Sequence, residues 1–170
     1  MIKAEMPSVS CPLPPSTGVL IRPARLDDAE ALQRYCYPDA SVDDVRDYLA
    51  WCLRQARKGR LIRLVAEVEG QAVGNVQLTV WGREGEIGSL VVAEAFRRQG
   101  LARRLLTELI GEARRRGLEA LEMCAAGQEA AILAFYQQLG FQPVPDTKKR
   151  LSRSISPGPV VHLRMELCGP

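Results

Sequence analysis

The chain has 170 residues, 46% of them apolar and 25% charged, and its 23 Lys and Arg against 20 Asp and Glu leave a net charge of +3. That length suits one domain, and the composition excludes disordered, collagen-like and coiled-coil classes; no run of about 18 apolar residues could span a membrane. The charge balance is too even to point to nucleic acid as a partner, and five cysteines without a CxxC pair, beside the single histidine His162, give no metal-ligand spacing, so no metal is expected and the thiols read as reduced in a cytoplasmic protein.

Residues 1–17 contain Pro7, Pro12, Pro14 and Pro15 and read as a flexible N-terminal arm, with no apolar stretch of a secretory signal. Residues 18–170 read as a single domain. Val19–Arg22 is a short strand. Asp27 and Glu30 form a capping box for a first helix that Pro38 stops. Ser41 caps a second, in which Val45, Leu49, Cys52, Leu53 and Ala56 follow helical spacing. Asp39, Asp43 and Asp44 near its start suit a helix N-terminus or a cationic amine. Leu61–Val68 and Ala72–Trp81 are strands joined by a hairpin at Glu69-Gly70-Gln71. A turn at 82–85 leads to a third strand, Glu86–Val92. The period then changes: Leu101, Leu105, Leu109 and Ala113 make the apolar stripe of a helix that ends at Gly117. Leu118–Ala125 is a strand, Glu129–Leu139 a helix, and Phe141–Val144 and Val160–Leu167 the last strands, with a mobile loop at 145–159. The helix between the strands at 86–92 and 118–125 requires a right-handed crossover and makes them parallel. The expected fold is α/β (α+β): a mixed, mostly antiparallel twisted sheet of about 6–7 strands flanked by helices, with a central β-α-β crossover.

One stretch carries chemistry. A buried strand, Leu90-Val91-Val92, runs into Arg97-Arg98-Gln99-Gly100-Leu101-Ala102 and straight on into the amphipathic helix. The first N–H groups of a helix have no intrahelical partner, and the helix dipole adds positive potential there. Gly100 lets backbone approach a ligand, Ala102 keeps the first turn uncrowded, and Arg97 and Arg98 add charge. The sum is an anion site suited to phosphate or pyrophosphate. No GxxxxGK[ST] and no GxGxxG after the first strand occur, so neither a P-loop nor a Rossmann site is supported.

Arg97-x-x-Gly100-x-Ala102, together with Ala134-Phe135-Tyr136-Gln137-Gln138-Leu139-Gly140-Phe141, resembles the paired signatures of the GNAT superfamily of acyl-CoA-dependent N-acetyltransferases, over roughly residues 18–167. The resemblance implies acetyl-CoA as cosubstrate, with its pantetheine arm on the backbone of Leu90, Val91 and Val92. It implies the pyrophosphate on Arg98, Gln99, Gly100, Leu101 and Ala102 beside Arg97, and a splayed strand pair at a bulge near Gly88 or Ser89. Arg103 or Arg104 would meet the 3′-phosphate, or be solvated. The implied reaction is direct attack of an amine on the thioester, without an acyl-enzyme. Tyr136 would be the acid at the departing sulfur, a backbone N–H near Leu90 or Val91 the oxyanion donor, and Glu86 the base, with Glu84 a weaker substitute. Along a strand 86, 88 and 90 share a face unless a bulge intervenes. Cys124 reads as a buried strand cysteine and His162 as a strand residue. Gln128 or Glu129 stands where many members carry Asn. A CoA-binding sensor without chemistry is the alternative to an enzyme. Neither nucleic acid nor membrane is an expected partner; the acceptor amine is unassigned, and homodimers are frequent in the family.

Overall fold

The structure is a computed structural model that describes residues 18–126, 130–145 and 160–167. The arm at 1–17, Gln128 and Glu129, and the loop beyond Pro145 lie outside the described residues. The strands are β1 (Leu20–Pro23), β2 (Leu61–Val68), β3 (Gln71–Trp81), β4 (Glu84–Val92), β5 (Ala120–Ala126), β6 (Gln142–Pro143) and β7 (Val160–Glu166). The helices are α1 (Ala29–Cys36), α2 (Val42–Arg57), α3 (Leu101–Arg115) and α4 (Ala130–Gln138). One seven-stranded sheet takes the order β1-β2-β3-β4-β5-β7-β6. Only β4 and β5, joined through α3, are parallel; the other pairs are antiparallel. The mixed, mostly antiparallel sheet between helices is as the sequence predicts.

Local chemistry sets most element ends. The Asp44 N–H donates to Ser41 Oγ at 3.0 Å, capping α2 as expected. The β2–β3 hairpin turns on Glu69 and Gly70 at φ +50° and +77°, the left-handed pair that a two-residue turn needs. The start of α1 differs from the Asp27–Glu30 capping box. Leu26–Asp28 is a 3-10 turn, and α1 begins at Ala29. Asp28 accepts from the Arg25 N–H at 2.7 Å and from both Nη atoms of Arg22, at 2.9 and 2.7 Å. A buried ion pair organises this corner where a solvent-facing cap was expected.

The last two strands also depart from a simple meander. β7 lies between β5 and β6 and pairs with β5 along its whole length. β6 is two residues on the outer edge, where Pro143, lacking an N–H, is tolerated.

The sheet divides two cores. On one face Leu101, Leu105, Leu106, Leu109, Ile110 and Ala113 of α3 bury against Val76, Leu78, Ile87, Leu121, Met123 and Leu163. Ile132, Leu133 and Tyr136 of α4 pack on the same core. On the other face Leu32, Val45 and Leu49 of α1 and α2 meet Val65 and Ala72. Arg63, Asn75 and Gln77 share that second face with Val65 and are themselves buried.

Candidate active site

The parallel ladder between β4 and β5 runs from Glu84 opposite Ala120 to Ile87 opposite Met123, and stops there. Beyond it β4 continues to Val92 paired with β3 alone. Between Asn75 and Gln77 of β3 the register of β4 advances from Val91 to Gly88, which inserts one residue into β4. Ser89, at φ +52°, sits in that bulge, so the strand bends away from β5 at one of the two positions the resemblance implies. The backbone of Leu90–Val92 is thereby left along an open slot. The same opening explains why these residues are half-buried, where a buried strand was expected.

The bulge changes which side chains share a face. Glu86 stands opposite Thr79 and beside Glu122, on the side of the sheet that carries α1 and α2. Leu90 and Val92 pack on the α3 core. Glu86 and Leu90, two steps apart in an unbroken alternation with Gly88, are therefore on opposite faces. The Glu86 carboxylate accepts from Trp81 Nε1 at 3.3 Å. Glu84, the weaker substitute, accepts from Arg164 Nη2 at 3.1 Å, and Arg164 also binds Glu122 and Glu166.

After β4 the chain makes a 3-10 turn, Glu94–Phe96, that the sequence did not reveal. Arg97 Nε then donates to the Val92 carbonyl at 3.1 Å, tying the turn to the strand end. Arg98 and Gly100 adopt φ +59° and +80°, and the first helical bond of α3 runs from the Arg104 N–H to the Gly100 carbonyl at 3.0 Å. A Cβ on Gly100 would meet nothing within 4 Å, so its positive φ, and not crowding, favours glycine there. The exposed segment Arg97–Gly100 thus leads its backbone into the positive end of a 15-residue helix. Arg103 and Arg104 are engaged: Arg103 Nη2 donates to Gln138 Oε1 at 2.8 Å with its guanidinium 5.4 Å from the Phe135 ring, and Arg104 Nη2 donates to the Val19 carbonyl at 2.7 Å.

Tyr136 lies near the end of α4, half-buried, its ring edge-on to Phe141 at 6.2 Å and to Phe135 at 5.1 Å. Phe141 is fully buried and its N–H donates to the Tyr136 carbonyl at 3.1 Å, so the helix end is pinned through the phenylalanine of the second motif. Burial pushes the Tyr136 phenol above its usual 10. Cys124 stands opposite His162 across the β5–β7 pair, Sγ to Nδ1 3.5 Å. Cys124 is half-buried, more open than expected.

A group of residues beside this site has no motif to mark it. Arg63, Asn75 and Gln77 form a buried polar cluster beneath α1 and α2. Arg63 Nη1 donates to Gln77 Oε1 at 2.8 Å, and Nη2 donates to Asn75 Oδ1 and, at 3.2 Å, to the Tyr37 hydroxyl. The Tyr37 and Tyr48 hydroxyls donate to Asn75 Oδ1 at 2.9 Å and to Gln77 Oε1 at 3.1 Å. Cys36 and Cys52 border the cluster, and burial pushes both thiols up, Cys36 to about 11, so neither is a ready thiolate. The sequence signal was present: Arg63 interrupts Leu61-Ile62-x-Leu64-Val65, and a charge in a fully buried strand needs partners.

The model of the acetyltransferase (GNAT) family matches residues 24–141. The chain belongs to the GNAT family. The [ribosomal protein bS18]-alanine N-acetyltransferase of Escherichia coli is 33% identical over 88 residues, which is 45% of this chain; the chain spans 60% of that relative's length. Among solved structures, the ribosomal-protein-alanine N-acetyltransferase of Brucella melitensis superposes with a TM-score of 0.70 at 27% identity, over 86% of this chain and 99% of that one. The Salmonella typhimurium protein yncA with its cofactor acetyl-CoA reaches 0.69 at 22% identity, over 88% and 94%, which shows shared fold.

Proposed function

We propose that the enzyme moves the acetyl group of acetyl-CoA onto a primary amine by direct attack, without an acyl-enzyme. The observation that carries the reading is the break in the β4–β5 ladder at the Ser89 bulge, next to the left-handed turn at the start of α3. Leu90, Val91 and Val92 would hold the pantetheine arm through their open backbone edge. Arg98, Gln99, Gly100, Leu101 and Ala102 would hold the pyrophosphate on backbone N–H groups at the positive helix end, with Arg97 bracing the turn. Acetyl-CoA, when bound, supplies the acetyl group as a thioester.

The remaining work belongs to the chain's own groups. A backbone N–H at Leu90 or Val91 donates to the carbonyl oxygen as it gains charge. Glu86, on the acceptor side of the sheet, takes the proton that the amine nitrogen loses, directly or through one water. Tyr136, kept protonated by burial, gives its proton to the thiolate as the carbon–sulfur bond breaks. Water carries the proton held on Glu86 back to the Tyr136 phenolate, so transfer closes with one amide, one thiol and an unchanged enzyme.

The test is thiol release from acetyl-CoA against a panel of amines, with calorimetric CoA binding in parallel. Amine-dependent thiol release with saturable CoA binding is expected. CoA binding without release for any amine class would make the protein a CoA sensor, and absence of both would overturn the reading altogether.

A further inference from the structure

A cavity of about 250 Å³ opens between α1, α2 and the sheet, and its lining joins Ser89 of the bulge to Arg63, Tyr37, Tyr48 and Asp44. Arg63 is only 5% exposed. All its partners are neutral: Asn75, Gln77, the Tyr37 hydroxyl, the Cys52 sulfur at 3.9 Å, and the Tyr48 ring with its centroid 5.3 Å from Cζ. No carboxylate among the described residues pairs with it. Arg63 Nε and Asn75 Nδ2 are buried donors with no hydrogen-bond partner among the described residues. Burying a charge is tolerated when it is paired and hydrogen-bonded, and this cation has the hydrogen bonds without the counter-charge.

We infer that this cavity is the acceptor pocket and that the acceptor carries a carboxylate, held by Arg63, beside the amine that is acetylated; the class is a free amino acid or a similarly small amino-carboxylate. The inference rests on the acetyl-transfer reading above. A guanidinium fork matches a carboxylate in shape and charge, and an anionic group brought to it supplies what the neutral oxygens of Asn75 and Gln77 lack. The other end of the cavity is Ser89, on the strand that would carry the pantetheine arm, so one short molecule reaches both. Size agrees: sites for drug-sized ligands run to about 300–1,000 Å³, and this one is smaller. Leu32, Ala40, Val45 and Leu49 complete the lining and suit an aliphatic side chain. Asp44, at the start of α2, adds a negative charge to the same cavity and favours the ammonium form on arrival.

The experiment compares each L-amino acid with its own amide, which keeps the amine and the side chain and removes the carboxylate charge. For the preferred acceptor kcat/KM should be at least tenfold higher for the acid, chiefly through KM, and Arg63→Met should reduce that preference to less than about threefold. Arg63→Lys, which keeps the charge without the fork, should retain part of it and guards against a misfolded Met variant. A second readout needs no turnover: in the presence of CoA, ligand-detected NMR should show N-acetyl amino acids binding in preference to their N-acetyl amides. Amides and alanyl peptides turned over as well as or better than free acids would overturn the carboxylate assignment and leave acetyl transfer standing. If no amine released thiol, acetyl transfer would fall, and the NMR comparison would still decide: equal binding of acid and amide, or none, overturns the pocket.

Discussion

Two buried arginines sit on adjacent strands and face the same pair of helices. Arg22 of β1 stands opposite Val65, two residues along β2 from Arg63. Arg22 is 9% exposed and grips two carboxylates, Asp28 at 2.7 Å and Glu67 at 2.6 Å. Arg63 is buried more deeply and has none among the described residues. The first arrangement is complete in itself and joins β1, the 3-10 turn and β2 into one corner. The second is complete only when something anionic arrives. On the readings proposed above, the β1–β2 corner uses its polar groups for folding, and the proposed site from Arg63 through Ser89 to Tyr136 holds them for a visitor. Damage to the first should appear in unfolding curves, and damage to the second in turnover.

The largest effect is expected at Tyr136. Its hydroxyl has no hydrogen-bond partner among the described residues and its ring is held by Phe135 and Phe141, so Tyr136→Phe should leave the melting temperature nearly unchanged. General-acid catalysis contributes about 10²–10⁴-fold, and kcat should fall by that range while CoA affinity stays within about threefold. The pH dependence has a definite sign. Burial raises the phenol above 10, so the proton is present at neutral pH, and the rate should fall only as pH climbs through that raised value. A basic limb below pH 10 that vanished in Tyr136→Phe would contradict the assignment, as would unchanged turnover in the variant.

Asp28→Ala addresses the other region. It leaves the Arg22 guanidinium buried with one partner fewer, and breaking a buried ion pair from one side costs about 3–5 kcal/mol. Urea unfolding should show that loss, while kcat/KM per folded molecule stays at the wild-type value. A loss below about 1 kcal/mol would mean that Glu67 alone neutralises Arg22, and the contrast between the arginines would shrink accordingly.

Legibility in the sequence follows the range of the interactions. The Ser41 cap, the Glu69-Gly70 turn, the Leu101–Ala113 stripe and the Arg97-x-x-Gly100-x-Ala102 turn each depend on groups a few residues apart, and each stands where the spacing predicts. The bulge at Ser89 stands at one of the two positions that the resemblance to the GNAT superfamily implies, and no local spacing marks it. The Arg22–Asp28 pair was not legible. Asp28 reads locally as part of a helix start, and only the sheet brings Arg22 onto it. Arg63 has its strongest partners 12 and 14 residues away on β3 and others on α2 and just past the end of α1, so its isolation among Leu and Ile announces a buried charge without saying what satisfies it. The insertion of β7 between β5 and β6 was equally hidden, since alternation within a strand records faces and not neighbours.

The smallest effect expected is the stability loss at Arg63, and set beside that at Arg22 it separates the two arginines most directly. Arg22→Met abandons two carboxylates, one of them in Asp28, which is 6% exposed, and should cost about 3–5 kcal/mol. Arg63→Met abandons only neutral acceptors. Leaving buried oxygens unsatisfied costs about 1–3 kcal/mol, and the Tyr37 and Tyr48 hydroxyls, which already donate to Asn75 and Gln77, keep one bond on each. Removal of an unneutralised buried charge offsets part of the remainder. The Arg63 variant should therefore unfold at a urea concentration nearer to wild type than the Arg22 variant does, with unchanged m-values in both. Equal losses would show that Arg63 is as much a part of the scaffold as Arg22. A small loss coupled to a large rise in acceptor KM would place the two guanidiniums, two residues apart across one strand pair, on opposite sides of the line between folding and recognition.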